Sequence, residues 1–135
     1  MRIVVTGGAG FIGSNFVRHL VANRYPGLEN AQVTVLDALT YSGTLTNLSE
    51  CLDNPRLTVV HGDIRDDTLV DETFAGADFV VHFAAESHVD RSVRDAGPFI
   101  DTNVRGTQVL LDAAVRANVT RFLHVSTDEV YGSIS

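Results

Sequence analysis

Five short apolar runs recur along the chain: Ile3-Val-Val-Thr6, Val33-Thr-Val-Leu36, Leu57-Thr-Val-Val60, Phe79-Val-Val-His-Phe83 and Phe122-Leu-His-Val125. Each is rich in β-branched residues and nearly continuous in its hydrophobicity, which predicts parallel strands covered on both faces. Between the runs, apolar positions fall three and four residues apart. Phe11, Ile12, Phe16, Val17 and Leu20 form one such series, and Val104, Val109, Leu110, Ala113, Ala114 and Ala117 another. That spacing lays an apolar stripe along a helix. Strand and helix alternate, an order that right-handed crossovers turn into an α/β fold with a doubly wound parallel sheet. Residues 37–55 and 86–98 make long polar connections. Long loops at the carboxyl ends of strands are where an open α/β sheet takes its ligands.

Composition narrows this picture without changing it. The chain has 135 residues, 44% hydrophobic and 20% charged, the size and balance of one globular domain around one core. A net charge of −7 argues against nucleic acid or an anionic membrane as partner, since both demand clustered cations. All ten cations are arginine and none is lysine. The apolar run at the N-terminus is too short for a signal peptide, and no run approaches the ~18 apolar residues of a membrane span, so a cytoplasmic protein is expected. The single cysteine, Cys51, excludes an internal disulfide. Together with the five histidines it shows no metal-ligand spacing, and no metal is expected.

Directly after the first run stands Thr6-Gly7-Gly8-Ala9-Gly10-Phe11-Ile12-Gly13, which fits G-x-x-G-x-x-G from Gly7 and G-x-G-x-x-G from Gly8. Such a turn needs backbone angles that other residues resist. The missing Cβ also lets backbone amides approach a pyrophosphate at a helix N-terminus. The motif alone is weak, but here a strand precedes it, an amphipathic helix follows it, and Asp37 closes the second strand 24 residues beyond Gly13. That is the context of a Rossmann-type dinucleotide site. Asp37 is placed to accept hydrogen bonds from both adenosine ribose hydroxyls and to repel a 2′-phosphate, so NAD is favoured over NADP. The plainer alternative is a packing turn with Asp37 capping a loop. A Walker phosphate loop is excluded because there is no lysine.

Three further segments carry candidate chemistry. Asp63, in Gly62-Asp63-Ile64-Arg65-Asp66-Asp67, ends the third strand on the adenine side, where a ligand contact and a plain loop acid are equally open. Asp66 and Asp67 read as acids at a helix N-terminus. Phe83-Ala84-Ala85-Glu86-Ser87-His88-Val89-Asp90-Arg91-Ser92 starts at the end of the fourth strand. Its small alanines would let backbone pass close to a ribose and nicotinamide, while Ser87, His88 and Arg91 offer donors to a polar substrate. His82 and His124 interrupt apolar strands and read as hydrogen-bonded core histidines. Asn103 either orders backbone near the site or caps the following helix.

Taken together, "VTGGAGFIGSNFVR", "DALTYSG", "GDIRD", "HFAAESHVDRS", "DTNVRGT" and "VSTDEVYG" resemble the amino-terminal half of an extended short-chain dehydrogenase/reductase, and most closely its dTDP-glucose 4,6-dehydratase branch. The glycine motif is shared by the whole superfamily, whereas "AAESHVDRS" followed by "STDEVYG" is selective. The resemblance implies an incomplete Rossmann-type domain over residues 1–135. It implies an NAD site built from Gly7, Gly10, Phe11, Ile12 and Gly13 at the pyrophosphate, Asp37, Ala38, Leu39 and Thr40 at the adenosine ribose, and Asp63 and Ile64 at the adenine. Phe83, Ala84, Ala85, Ser87 and Thr102 would line the nicotinamide side, with Ser87 and Thr127 also reaching the sugar nucleotide.

The implied reaction oxidises the hexose of dTDP-glucose at C4, eliminates water across C5 and C6, and reduces C6. By resemblance, Glu129 is the base for the C5 proton, Asp128 the acid for the C6 hydroxyl, and Thr127 a hydrogen-bond donor to the C4 oxygen. In a dry site two neighbouring carboxylates do not both ionise cheaply, which would help keep one of them protonated.

The chain departs from the family pattern in two places. Ala38 stands where some relatives carry a polar or basic residue. The Tyr-x-x-x-Lys pair is missing as well, since the fourth residues after Tyr25, Tyr41 and Tyr131 are Glu29, Leu45 and Ser135. The expectation is therefore a portion of a larger, homodimeric enzyme, inactive by itself. An extended nucleotide-sugar epimerase or decarboxylase, or a non-catalytic NAD-binding module, are the alternatives.

Overall fold

The structure is a computed structural model that describes residues 1–132, apart from the side chains of Val89, Arg91 and Glu129. Five strands form one parallel sheet in the order β3-β2-β1-β4-β5: β1 (Arg2–Thr6), β2 (Gln32–Asp37), β3 (Leu57–His61), β4 (Phe79–His82) and β5 (Arg121–His124). The register pairs Val5 with Val35 and Val81, which brings the carboxyl ends of β1, β2 and β4 level. Between the strands lie α1 (Phe11–Val21), α2 (Asp67–Phe74), the short α3 (Val89–Arg94) and α4 (Gly97–Phe99), and α5 (Thr107–Arg116). A π-helical stretch, Ile100–Gly106, joins α4 to α5.

Alternation along β1 divides the core in two. Ile3 and Val5 face α1 with Val17, Leu20, Val33 and Val35, whereas Val4 faces α2 and α5 with Val70, Phe74, Val80, Leu110 and Ala113. A strand places successive side chains on opposite faces, so a continuous apolar run is what two covered faces require. The expectation holds for β1, β2 and β4 but fails for β5, where Leu123 is 57% exposed and His124 is also exposed. His124 is therefore not a core histidine.

Helix ends follow their local chemistry. The Asp66 side chain caps α2 by accepting the N–H of Leu69 at 3.1 Å, and Asp67 opens the helix. At the other end of α1, the Arg56 guanidinium donates to the carbonyl of Val21. The later helix departs from its predicted form. Its apolar spacing suggests one α-helix from about Val104, yet α-helical geometry begins only at Thr107, after the π-helical turn. Asn103 thus lies inside the helical segment and does not cap it.

Candidate functional site

The glycine turn follows from a close approach of three chain segments. Gly7 has φ of +70°, and a Cβ there would lie 2.5 Å from the backbone nitrogen of Ala84 at the end of β4. A Cβ on Gly13 would collide with the carbonyl of Gly7, so only glycine lets α1 sit against the end of β1. No side chain caps the N-terminus of α1 and no acid stands in its first turn. The first amides of α1 are thus left to a ligand, and with the helix dipole they favour an anion.

Asp37 is 8% exposed and holds this turn as well as facing it. Its Oδ2 accepts the N–H of Ala9 at 2.9 Å, and its Oδ1 accepts the N–H of Leu39 at 2.8 Å. A carboxylate has about four lone-pair sites, which leaves acceptor capacity for ribose hydroxyls. Gly43 closes over it, since a Cβ there would lie 2.5 Å from Asp37 Oδ1. The carbonyl of Ala9 is held as well, by Asn47 Nδ2 at 2.8 Å and the N–H of Thr44 at 3.2 Å.

Around this turn opens a cleft of about 430 Å³ at the carboxyl ends of the strands. Gly7, Gly10, Phe11, Ile12, Gly13, Asp37, Ala38, Thr40, Asp63, Ile64, Phe83, Ala84, Ala85, Ser87 and Thr102 all line it. Leu39 does not: its side chain packs on the α1-side core, and it reaches that position through a positive φ of 50°. Phe11 and Ile12, read from spacing as part of a core stripe, are 91% and 63% exposed and face the cleft. Position in a helical period does not distinguish a residue of the first turn, where the helix has not yet reached its packing partner.

Asp63 is fixed by a residue that the sequence did not single out. Arg65 grips it with two side-chain bonds, Nε to Oδ1 at 2.9 Å and Nη2 to Oδ2 at 2.6 Å. These bonds hold the Asp63 carboxyl below its usual range, so it presents a negative charge to the cleft. A bidentate grip by Arg two residues on is a geometric feature with no sequence signature.

A chain of hydrogen bonds, buried at Thr6–His82 and half-buried beyond, supports the loop after β4. Thr6 Oγ1 lies 2.7 Å from His82 Nδ1, and His82 Nε2 lies 3.1 Å from Thr107 Oγ1. Thr107 spends its only hydroxyl proton on the carbonyl of Asn103 at 2.7 Å, so it accepts from His82. His82 therefore carries its proton on Nε2 and accepts from Thr6 at Nδ1. Burial, with a smaller contribution from His124, pushes its pKa down to about 4, so the ring is neutral. Asn103 completes the chain with two bonds to one residue, Oδ1 accepting the N–H of Glu86 at 2.8 Å and Nδ2 donating to its carbonyl at 2.9 Å. The reading of His82 as a core histidine agrees with this arrangement.

The acid-base candidates stand at the end of β5. Val125 and Ser126 line the cleft, and Thr127 Oγ1 lies 3.4 Å from Asp128 Oδ1 at the start of a 3₁₀ turn, Asp128–Tyr131. Thr127 and Asp128 are both exposed among the described residues. The Glu129 side chain, like that of Arg91, lies outside the described residues. Among the described residues no cluster of His, Cys, Asp or Glu could hold a metal ion. Cys51 is buried with its thiol donating to the carbonyl of Leu48, and burial pushes its pKa up.

Comparison with known proteins bears on this geometry. The family model described as GDP-mannose 4,6 dehydratase matches residues 4–135. A dTDP-glucose 4,6-dehydratase of Streptomyces niveus is 59% identical over 134 residues, 99% of this chain and 40% of the relative. The low-salt glycan biosynthesis protein Agl12 of Haloferax volcanii is also 59% identical, over 99% of this chain and 42% of its own length. The solved structure of DesIV, a dTDP-glucose 4,6-dehydratase from Streptomyces venezuelae with NAD and TYD bound, superposes with a TM-score of 0.96 at 59% identity, covering 100% of this chain and 42% of that one. The chain thus spans about two fifths of the length of the relatives it matches.

Proposed function

The chain belongs to the GDP-mannose 4,6-dehydratase family, within the extended short-chain dehydrogenases/reductases, and from that premise we propose that it forms the dinucleotide-binding part of a dTDP-glucose 4,6-dehydratase. The reaction converts dTDP-glucose to dTDP-4-keto-6-deoxyglucose by C4 oxidation, loss of water across C5 and C6, and C6 reduction. The observation that carries this reading is the adjacency of two strand ends. β4 and β5 are paired in parallel, so the loop with Ala84, Ala85 and Ser87 lies beside the turn with Thr127 and Asp128. Ala84, Ala85 and Ser87 line the cleft from the first of these loops and Val125 and Ser126, just before Thr127, from the second, which supports redox and acid-base chemistry at one end of it.

The residues present fit NAD. Gly7 and Gly13 let the end of β4 and the start of α1 close onto the first turn, and the uncapped start of α1 at the cleft offers amides to a pyrophosphate. Asp37, with Ala38 and Thr40 beside it, would hold the adenosine ribose and repel a 2′-phosphate, while Asp63 and Ile64 would meet the adenine. Phe83, Ala84, Ala85, Ser87 and Thr102 would enclose the nicotinamide end. Bound NAD would supply the redox chemistry, taking up two electron equivalents from C4 and giving them back at C6.

Asp128 donates the proton that lets the C6 hydroxyl leave as water. Glu129 removes the C5 proton, which the neighbouring C4 ketone has made acidic. Thr127 donates a hydrogen bond to the C4 oxygen, and Ser87 holds the sugar nucleotide. The group that deprotonates the C4 hydroxyl, a Tyr-x-x-x-Lys pair, and the sugar-nucleotide domain are proposed to lie outside these 135 residues, which alone have no dehydratase activity.

Two wider features belong to the same reading. A homodimer is supported by a second apolar stripe, Ile100, Val104, Leu111 and Val115, which is exposed on the side of the helical segment opposite the buried Leu110 and Ala114. A cytoplasmic location is supported by an unpaired buried thiol and by the absence, among the described residues, of any helix long and apolar enough to cross a membrane.

The test is to supply the full-length protein with dTDP-glucose and follow the 4-keto-6-deoxy product. Glu129→Gln is expected to lose elimination, and with it exchange of the C5 proton into deuterated solvent, while C4 oxidation stays measurable. Unchanged exchange in that variant would remove Glu129 as the base, and absence of product from the unmodified protein would remove the proposal.

A further inference from the structure

Two loops on opposite sides of the cleft are tied together. Tyr41, on the loop after β2, donates its hydroxyl proton to Glu86 Oε2 at 2.8 Å, across 45 residues of sequence. Its ring centroid lies 4.9 Å from that of His88. Glu86 belongs to the loop after β4. In the sheet β1 lies between β2 and β4, so the bridge passes from one flank of β1 to the other, a gap of about 10 Å at the usual spacing of neighbouring strands. The glycine turn that follows β1 lies between its two anchor points.

Both anchors are braced. On the β2 side, Thr44 N–H and Asn47 Nδ2 hold the loop to the carbonyl of Ala9. On the β4 side, Asn103 grips the N–H and the carbonyl of Glu86 itself. A bond between two free side chains would constrain little. A bond between two braced loops limits how far those loops can part.

We propose that Tyr41 and Glu86 form a latch over the dinucleotide cleft, and that the bound dinucleotide leaves only when this hydrogen bond breaks. The inference rests on the reading of the cleft as an NAD site. A cofactor oxidised and reduced within one turnover is regenerated in place, so a slow exit does not limit the reaction. Tyr41 is 48% exposed, so its bond competes with water and adds an increment to the barrier without sealing the cleft. Losing one hydrogen bond to a charged acceptor at such a site corresponds to a release rate about tenfold higher.

The experiment is stopped-flow release of NADH, followed by its fluorescence after mixing with excess NAD⁺, in the full-length protein and in Tyr41→Phe, Glu86→Ala and the double variant. Each single variant is expected to release NADH about tenfold faster. The double variant should be no faster than Glu86→Ala, because both changes remove the same bond. Equal rates in the unmodified protein and Tyr41→Phe, or effects that multiply in the double variant, would overturn the latch while leaving the NAD site standing. Failure of the unmodified protein to bind NADH at all would overturn the site reading and the latch with it.

Discussion

The buried carboxylate of Asp37 accepts the N–H of Ala9 at 2.9 Å, so the acid at the end of β2 holds the glycine turn at the end of β1 in shape before any ligand arrives. One residue thus serves the fold and the site together. Asp37→Ala is expected to strand the Ala9 N–H in a place where water does not replace its partner, at a cost of about 1–3 kcal/mol. Denaturant unfolding should show that loss alongside weaker NAD binding. The milder Asp37→Asn keeps an acceptor oxygen but removes the charge, and should narrow the preference for NAD over NADP. Unaltered stability in Asp37→Ala would contradict the bracing role.

Gly13→Ala tests the close approach of α1 to the first turn. The new methyl group meets the carbonyl of Gly7, a backbone atom that cannot swing aside. Titration with NAD should show binding weakened by at least about tenfold, while the sheet, whose contacts lie elsewhere, keeps its circular dichroism. Full affinity in this variant would mean that the turn relaxes at little cost.

The neutral, buried His82 predicts a pH dependence of stability. Its folded pKa of about 4 lies below the ordinary histidine value of 6.5. Between these two values the unfolded chain binds more protons than the folded one, so stability rises with pH over that window and falls as pH drops towards 4. The full effect is on the order of 3 kcal/mol. Unfolding free energies measured from pH 4 to pH 7 should show this slope, and His82→Gln should flatten it. An identical slope in the variant would place the effect in other groups.

Asn103→Ala removes both bonds to the Glu86 backbone and is expected to loosen the loop that carries Ser87. Hydrogen exchange at the Glu86 amide, now protected by Asn103 Oδ1, should speed up markedly. Exchange in β1 and β2 should not change. A Glu86 amide that stays protected would show that the loop is held by something else.

The strands were legible in the sequence because each core run carries its own signal: β-branched residues in unbroken apolar series require two covered faces. β5 reads the same way, yet Leu123 and His124 stand exposed, because a run shows that it wants covering but not what covers it. The glycine turn was legible too, since the conformation of Gly7 and the approach at Gly13 admit one residue type. Asp128 was found through motif resemblance, because neither periodicity nor a steric rule marks a carboxylate that follows a strand end.

By itself, then, the sequence determined the element order, the doubly wound sheet, the glycine cradle and the acid that closes β2, all of them consequences of interactions within a few residues or of a steric rule at one position. It took the folded chain to show that Arg65 grips Asp63, that a π-helical turn carries Asn103 to Glu86, and that Tyr41 reaches Glu86 from 45 residues away, while for Phe11 and Ile12 it sided with the motif, which put them at the cleft, against the spacing, which put them in the core. These depend on where parallel strands place their loops. Side-chain periodicity is a local quantity and carries no information about which loop ends meet, whereas sheet order sets that directly.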